Sequence, residues 1–128
     1  MAREVIHSDN APKAIGPYSQ AIRVEAGRMI FCSGQVPIVP ATGEFNSQNV
    51  AEQTEQVMKN LEAVLAAAGA TFENVVRTTI FLTNMADFGT VNEVYGRYFP
   101  KNPPARATVQ VAALPKGAQV EIDCIAVI

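Results

Sequence analysis

A long cation where a β-rich segment begins and a carboxylate inside an apolar strand are the residues of this chain best suited to chemistry. Arg106 follows Pro103-Pro104-Ala105 and opens the run Arg106 to Val111. A guanidinium near a sheet edge grips a carboxylate in a bidentate pair, fixing a small acid's orientation as well as its affinity. An ordinary ion pair is the competing role. Glu121 stands between Val120 and Ile122, a setting in which burial favours a protonated carboxyl and a nearby arginine favours the carboxylate. Its roles are acid/base work or simple neutralisation of Arg106. Tyr18, Ser33 and Asn92 each donate and accept hydrogen bonds, although turns and helices use the same residue types structurally.

Other chemistries lack their residues. The single histidine, His7, lies beside the N-terminus and is a poor candidate for the positioned base of a Ser-His-Asp or Cys-His mechanism. With Cys32 and Cys124 it makes three soft or imidazole ligands, short of the four that a closed zinc site needs. Both cysteines lie in apolar runs, Ile30-Phe31-Cys32 and Cys124-Ile125-Ala126, where a free thiol behaves as a small buried hydrophobe. Neither a GxxxxGK[ST] loop nor a GxGxxG loop is present, so no nucleotide cofactor has its usual phosphate cradle and no cofactor or metal is expected. Ten basic against 12 acidic side chains give a net charge of −2. Without a run of Lys or Arg, nucleic acid is not the expected partner.

The elements that must position these residues can be read from spacing. The 128 residues suit one domain, expected over 1–128. Arg3 to His7 is a strand candidate, followed by the turn-rich Ser8 to Pro17. Gln20 to Glu25 and Met29 to Ser33 are expected to pair as a hairpin across Ala26-Gly27-Arg28, and Val36 to Gly43 reads as a loop. Asn46 or Ser47 is the expected cap of a long helix on which Val50, Thr54, Val57, Met58, Leu61, Val64, Leu65 and Ala68 recur at helical spacing, with Gly69 just past its end. Val75 to Leu82 is a strand by its β-branched content. Asp87 starts a second helix, whose Phe88, Val91, Tyr95, Tyr98 and Phe99 read as core, and Pro100 stops it. Arg106 to Val111 and Gln119 to Val127 are the last strands.

The order β-β-β-α-β-α-β-β predicts an α+β fold, a mixed sheet with both helices on one face. In the last strand Val120, Ile122, Cys124 and Ala126 point one way, and Glu121, Asp123, Ile125 and Val127 the other. Both faces are partly apolar, which gives a motive for oligomerisation. Charged residues make up only 17%, against about 25% in a typical soluble domain. Met1 to Asn10 lacks an apolar signal core and no window is apolar enough to span a membrane, so a cytoplasmic protein without membrane contact is expected.

Five local strings sharpen this reading: Ile15-Gly16-Pro17-Tyr18-Ser19-Gln20-Ala21, Ser33-Gly34-Gln35, Thr90-Val91-Asn92, Pro104-Ala105-Arg106 through Leu114-Pro115-Lys116-Gly117, and Val120-Glu121-Ile122. Together they closely resemble the reactive-intermediate deaminase family over nearly the whole chain. The resemblance implies a chorismate-mutase-like fold, a homotrimer with sites in the clefts between subunits, and no cofactor. It implies hydrolysis of 2-imino acids or their enamine tautomers, such as 2-aminoacrylate and 2-aminocrotonate, released by pyridoxal-phosphate enzymes. The products are 2-keto acids and ammonia.

On this resemblance Arg106 anchors the substrate carboxylate and Glu121 positions or activates the attacking water. Tyr18, Ser33 and Asn92 line the pocket and Phe88 forms an apolar wall. Thr108 stands where many bacterial members carry cysteine, at a position that contacts substrate through its backbone, and Gln110 replaces a glutamate found in some relatives. Two other classes compete. A non-catalytic trimer binding 2-keto acids or a protein partner would use the same cleft. An endoribonuclease or translation-inhibitor role, attached to some members, is disfavoured by the acidic pI of about 5.3 and the missing basic patch.

Overall fold

Apolar residues at steps of three and four place one stripe of α1 (Val50–Ala67) against a sheet, and Val57, Met58, Leu61 and Leu65 are fully buried there. The computed structural model describes residues 3–128. The cap of α1 is Asn49 rather than Asn46 or Ser47, because Asn49 is the last extended residue and its side chain accepts from the Glu52 N–H at 3.0 Å. Ser47 and Asn46 brace that turn instead. The Ser47 hydroxyl accepts from the Asn49 N–H at 2.9 Å, and the Asn46 amide donates to the Glu52 carbonyl at 2.7 Å. Val64, expected in the core, is 38% exposed at the edge of the stripe. Gly69 takes a left-handed conformation, φ 77°, just beyond the helix end.

The sheet under α1 has the order β3-β6-β4-β5, formed by β3 (Met29–Gln35), β4 (Val75–Leu82), β5 (Ala105–Gln110) and β6 (Val120–Val127). β4 and β5 are parallel, joined through α2 (Phe88–Tyr98), while β6 is antiparallel to both β3 and β4. The mixed sheet with two helices on one face is therefore as expected. Thr78, Ile80, Leu82, Val120, Ile122 and Cys124 face the helices and are buried. The hydroxyls of Thr78 and Tyr95 satisfy each other inside that layer at 2.7 Å. On the helix-free face, Phe31 is 69% exposed and Val109 41% exposed, in register with Ile125 and Phe81 respectively.

One expected pairing does not form. β2 (Ala21–Val24) pairs with β1 (Arg3–Ile6) in a separate ribbon, and β3 pairs with β6. A long-range ladder wins over the local turn, because Arg28 and Ile128 exchange both backbone hydrogen bonds, at 2.8 and 2.9 Å, and start β3 along the C-terminal strand. That strand offers alternating buried apolar side chains, whereas β2 has only four residues and none of them is fully buried. Arg3 ties the ribbon down by donating to the carbonyls of Val75 and Asn102.

Candidate active site

Arg106 lies on the edge strand β5 as register partner of Thr78, so its side chain projects toward the helix-covered face at the open end of the core. Phe88, Asn92 and Tyr95 occupy positions i, i+4 and i+7 of α2 and form one stripe toward it. The guanidinium carbon lies 5.4 Å from the ring centre of Tyr18, 5.6 Å from Phe88 and 5.2 Å from Tyr95, within the range of cation–π attraction. Its Nη1 donates to Asn92 Oδ1 at 2.7 Å, its one hydrogen bond among the described residues.

Tyr18 reaches this cluster because two of the singled-out strings are laid side by side. The Ser19 N–H donates to the Pro104 carbonyl at 3.1 Å, the Ser19 hydroxyl donates to the Pro103 carbonyl, and Ser19 bridges Ala105 in parallel. Gly16, at φ 114°, makes the preceding turn, which any side chain would strain. An open cleft of about 340 Å³ results, lined by Tyr18, Met85, Phe88, Arg106 and Thr108. Thr108 follows Arg106 on the same face, and its buried hydroxyl has no hydrogen-bond partner among the described residues. Gln110 holds the Met85 wall, accepting from the Met85 N–H at 2.7 Å.

The electrostatics favour an anionic ligand. None of the ion pairs among the described residues involves Arg106, so its charge meets no carboxylate partner within the chain. Burial lowers its pKa, with Tyr95 and Tyr18 opposing that shift, and an arginine remains charged under such a change. Burial pushes the Tyr95 phenol up to about 12, against smaller opposing effects of the Thr78 hydrogen bond and Arg106. Tyr95 is thus neutral at ordinary pH and supports Arg106 from the buried side, not as an acid or base. Tyr95 is a core residue, as its spacing predicts, with no exposed surface, and it backs the guanidinium from inside; its position three residues after Asn92 on the same stripe is the signal for that second contact. Met85, in a turn after β4, carried none.

Glu121 and Ser33 are not in this cleft. Glu121 is register partner of Phe81, and Ser33 follows the inward-facing Cys32, so both belong to the helix-free face. Cys124, three residues beyond Glu121, is the β6 residue in the row of Thr78 and Arg106. Strand alternation therefore puts Arg106 and Glu121 on opposite faces of one sheet, so Glu121 does not neutralise Arg106 of its own chain. The Glu121 carboxylate lies over Gly34, where an added Cβ would come 2.2 Å from Oε2. His7 is exposed, 2.9 Å from Asp9.

Comparison with known proteins decides the ancestry of this arrangement. Residues 8–128 match the family model described as Endoribonuclease L-PSP. The chain belongs to that family. Protein DfrA of Myxococcus xanthus is 66% identical, with 99% of this chain and 97% of that protein covered. The 2-iminobutanoate/2-iminopropanoate deaminase of Mus musculus is 54% identical, with 98% of this chain and 91% of that protein covered. Among solved structures, RidA from a Psychrobacter species superposes with a TM-score of 0.77 at 43% identity, covering 98% of this chain and 99% of the other. The α+β architecture is that of the family's solved structures. Among the described residues no helix is long and apolar enough to cross a membrane.

Proposed function

We propose that this chain is a hydrolytic deaminase of reactive 2-imino acids and their enamine tautomers, 2-aminoacrylate and 2-aminocrotonate among them, yielding 2-keto acids and ammonia. The observation that carries the reading is the Arg106 guanidinium. It is half-buried, held by Asn92, walled by aromatic rings and unmatched by any carboxylate among the described residues. Such a group binds and orients a small carboxylate. The full-length similarity to a named 2-imino acid deaminase supports the choice of reaction.

In this account the working unit is a homotrimer. The helix-free face, with Phe31 and Val109 exposed and Glu121 and Ser33 beside them, packs on a neighbouring copy and brings its Glu121 to that copy's Arg106 cleft. Arg106 holds the substrate carboxylate, Thr108 contacts it through the backbone, and Tyr18, Asn92 and Phe88 shape the pocket. An enamine first takes a proton at C3 to give the imine. Water held by Glu121 attacks the electrophilic C2, forming a C–O bond while its proton passes to Glu121. The C=N electron pair moves to nitrogen, which takes a proton to give the carbinolamine; Glu121 returns the water proton to that nitrogen, the hydroxyl gives up its proton as C=O forms, the C–N bond breaks, and ammonia leaves with the 2-keto acid. Orientation and proton transfer suffice because C2 of an imine is already electrophilic.

The test generates 2-aminoacrylate and 2-aminocrotonate with a serine/threonine dehydratase and traps the imines with semicarbazide. Wild type should lower semicarbazone and raise keto-acid release, and Arg106→Ala should do neither. An unchanged partition with wild type contradicts the deaminase reading and leaves a carboxylate-binding protein.

A further inference from the structure

Cys32 and Cys124 lie far apart in sequence, yet they are register partners on β3 and β6. Arg28 and Ile128 form a doubly hydrogen-bonded pair in that ladder, and such pairs recur every second residue, so Ile30 with Ala126 and Cys32 with Cys124 are of the same kind. Residues in such pairs have Cα atoms about 5.5 Å apart, inside the range of roughly 4.4–6.8 Å that a disulfide bridges, while their Cβ atoms stand near the upper end of about 4.5–5.5 Å, so closure draws the edge strand inward by roughly 1 Å and leaves a bond that a thiol reduces readily. Both side chains face the helix-covered core, 6% and 3% exposed. β3 is an edge strand paired only with β6, and its ladder becomes irregular directly after Cys32. An edge with one partner opens locally more readily than an interior strand.

We propose that Cys32 and Cys124 are a reversible dithiol–disulfide pair, oxidised by peroxide to a cross-strand bond that staples β3 to β6. On opening of the edge, the Cys32 sulfur attacks a peroxide oxygen. The O–O bond breaks, water leaves, and a sulfenic acid remains. The Cys124 sulfur then attacks that sulfur, the S–S bond forms, and the hydroxyl departs as a second water. Two thiols have lost two electrons and two protons to one hydrogen peroxide, and an external thiol restores them by exchange. Burial and the Cys32 neighbour push the Cys124 thiol upward in pKa, which makes closure slow and selects against casual reaction with other oxidants. The staple sits immediately before Ser33 and Gly34, the segment on which Glu121 rests. It holds that segment in register with β6 and closes most of the chain into one loop.

The reduced full-length protein is treated with hydrogen peroxide, alkylated, digested and analysed by mass spectrometry without reductant. The expected result is loss of two hydrogen atoms per chain and one cross-linked species joining the Cys32 and Cys124 peptides, both reversed by a thiol reductant. Thermal unfolding of the oxidised form should shift upward by roughly 5–10 °C. Cys124→Ala, which keeps β6 apolar, should lose both the cross-link and the shift, as should Cys32→Val. Free thiols after treatment of the native chain, sulfinic acids, or disulfides between chains would each overturn the proposal, as would an unshifted Tm. These readouts do not involve imine hydrolysis, so they stand or fall separately from the deaminase reading.

Discussion

Arg106 presents a charge that no carboxylate among the described residues meets, and Asn92 fixes the plane in which it is presented. A lysine keeps the charge but loses the planar fork and its stacking on Tyr18, Phe88 and Tyr95. Arg106→Lys should therefore lower kcat/KM for imine hydrolysis by about 100-fold or more, as read by keto-acid release; near-normal turnover would remove Arg106 from its role. Glu121→Gln should lower kcat by roughly 100- to 10,000-fold while leaving 2-keto-acid binding by calorimetry unchanged. Loss of binding as well would make Glu121 a structural residue. At this scale Tyr18, Phe88, Asn92, Arg106 and Thr108 were legible, because local strings and helical spacing mark them. Tyr95 is in the core as its spacing indicates; that its ring also backs Arg106 was not legible, since an aromatic residue on a helix stripe reads as core whichever neighbour its ring covers.

Elements position those residues, and two of them carry testable consequences. Gly34 leaves the space that the Glu121 side chain fills. Gly34→Ala should displace Glu121 and lower turnover well beyond any change in Tm, and unchanged turnover would contradict that packing. On α2, burial raises the Tyr95 phenol to about 12, above the value of about 10 in an unfolded chain. Folding favours its neutral form, so that contribution is intact below pH about 10 and lost as the pH rises toward 12. Tyr98, also raised to about 12 by burial and then by its bond to Glu55, acts in the same direction. Tm should fall between pH 10 and 12, and less steeply in Tyr95→Phe; equal slopes would contradict the assignment. The helices and all six strands were readable from period and composition. The β2–β3 hairpin was not, because its failure depends on Ile128, a hundred residues from Arg28, and no local turn signal reports a distant ladder.

At the scale of the molecule, the sheet separates the two halves of the proposed site. The alternation that sets Glu121 on the face away from Val120 and Ile122 was readable in β6 alone; that Arg106 shares the row of Cys124, and so lies on the other face from Glu121, needed the register across three strands. Phe31, 69% exposed in the single chain, contributes little to its own core, so on the proposed trimer Phe31→Asp should leave the helical signal intact while wild type sediments as a trimer and the variant as a monomer. A variant that stays trimeric would show that this face is not the contact. The central claim is that Arg106 of one copy works with Glu121 of another. Arg106→Ala and Glu121→Gln proteins, each inactive alone, would be unfolded together in equal amounts, refolded, and assayed for imine hydrolysis. Random assembly pairs an intact Arg106 cleft with an intact Glu121 at roughly a quarter of the interfaces, so about a quarter of wild-type activity should return. A mixed trimer no more active than its parents would contradict the shared site.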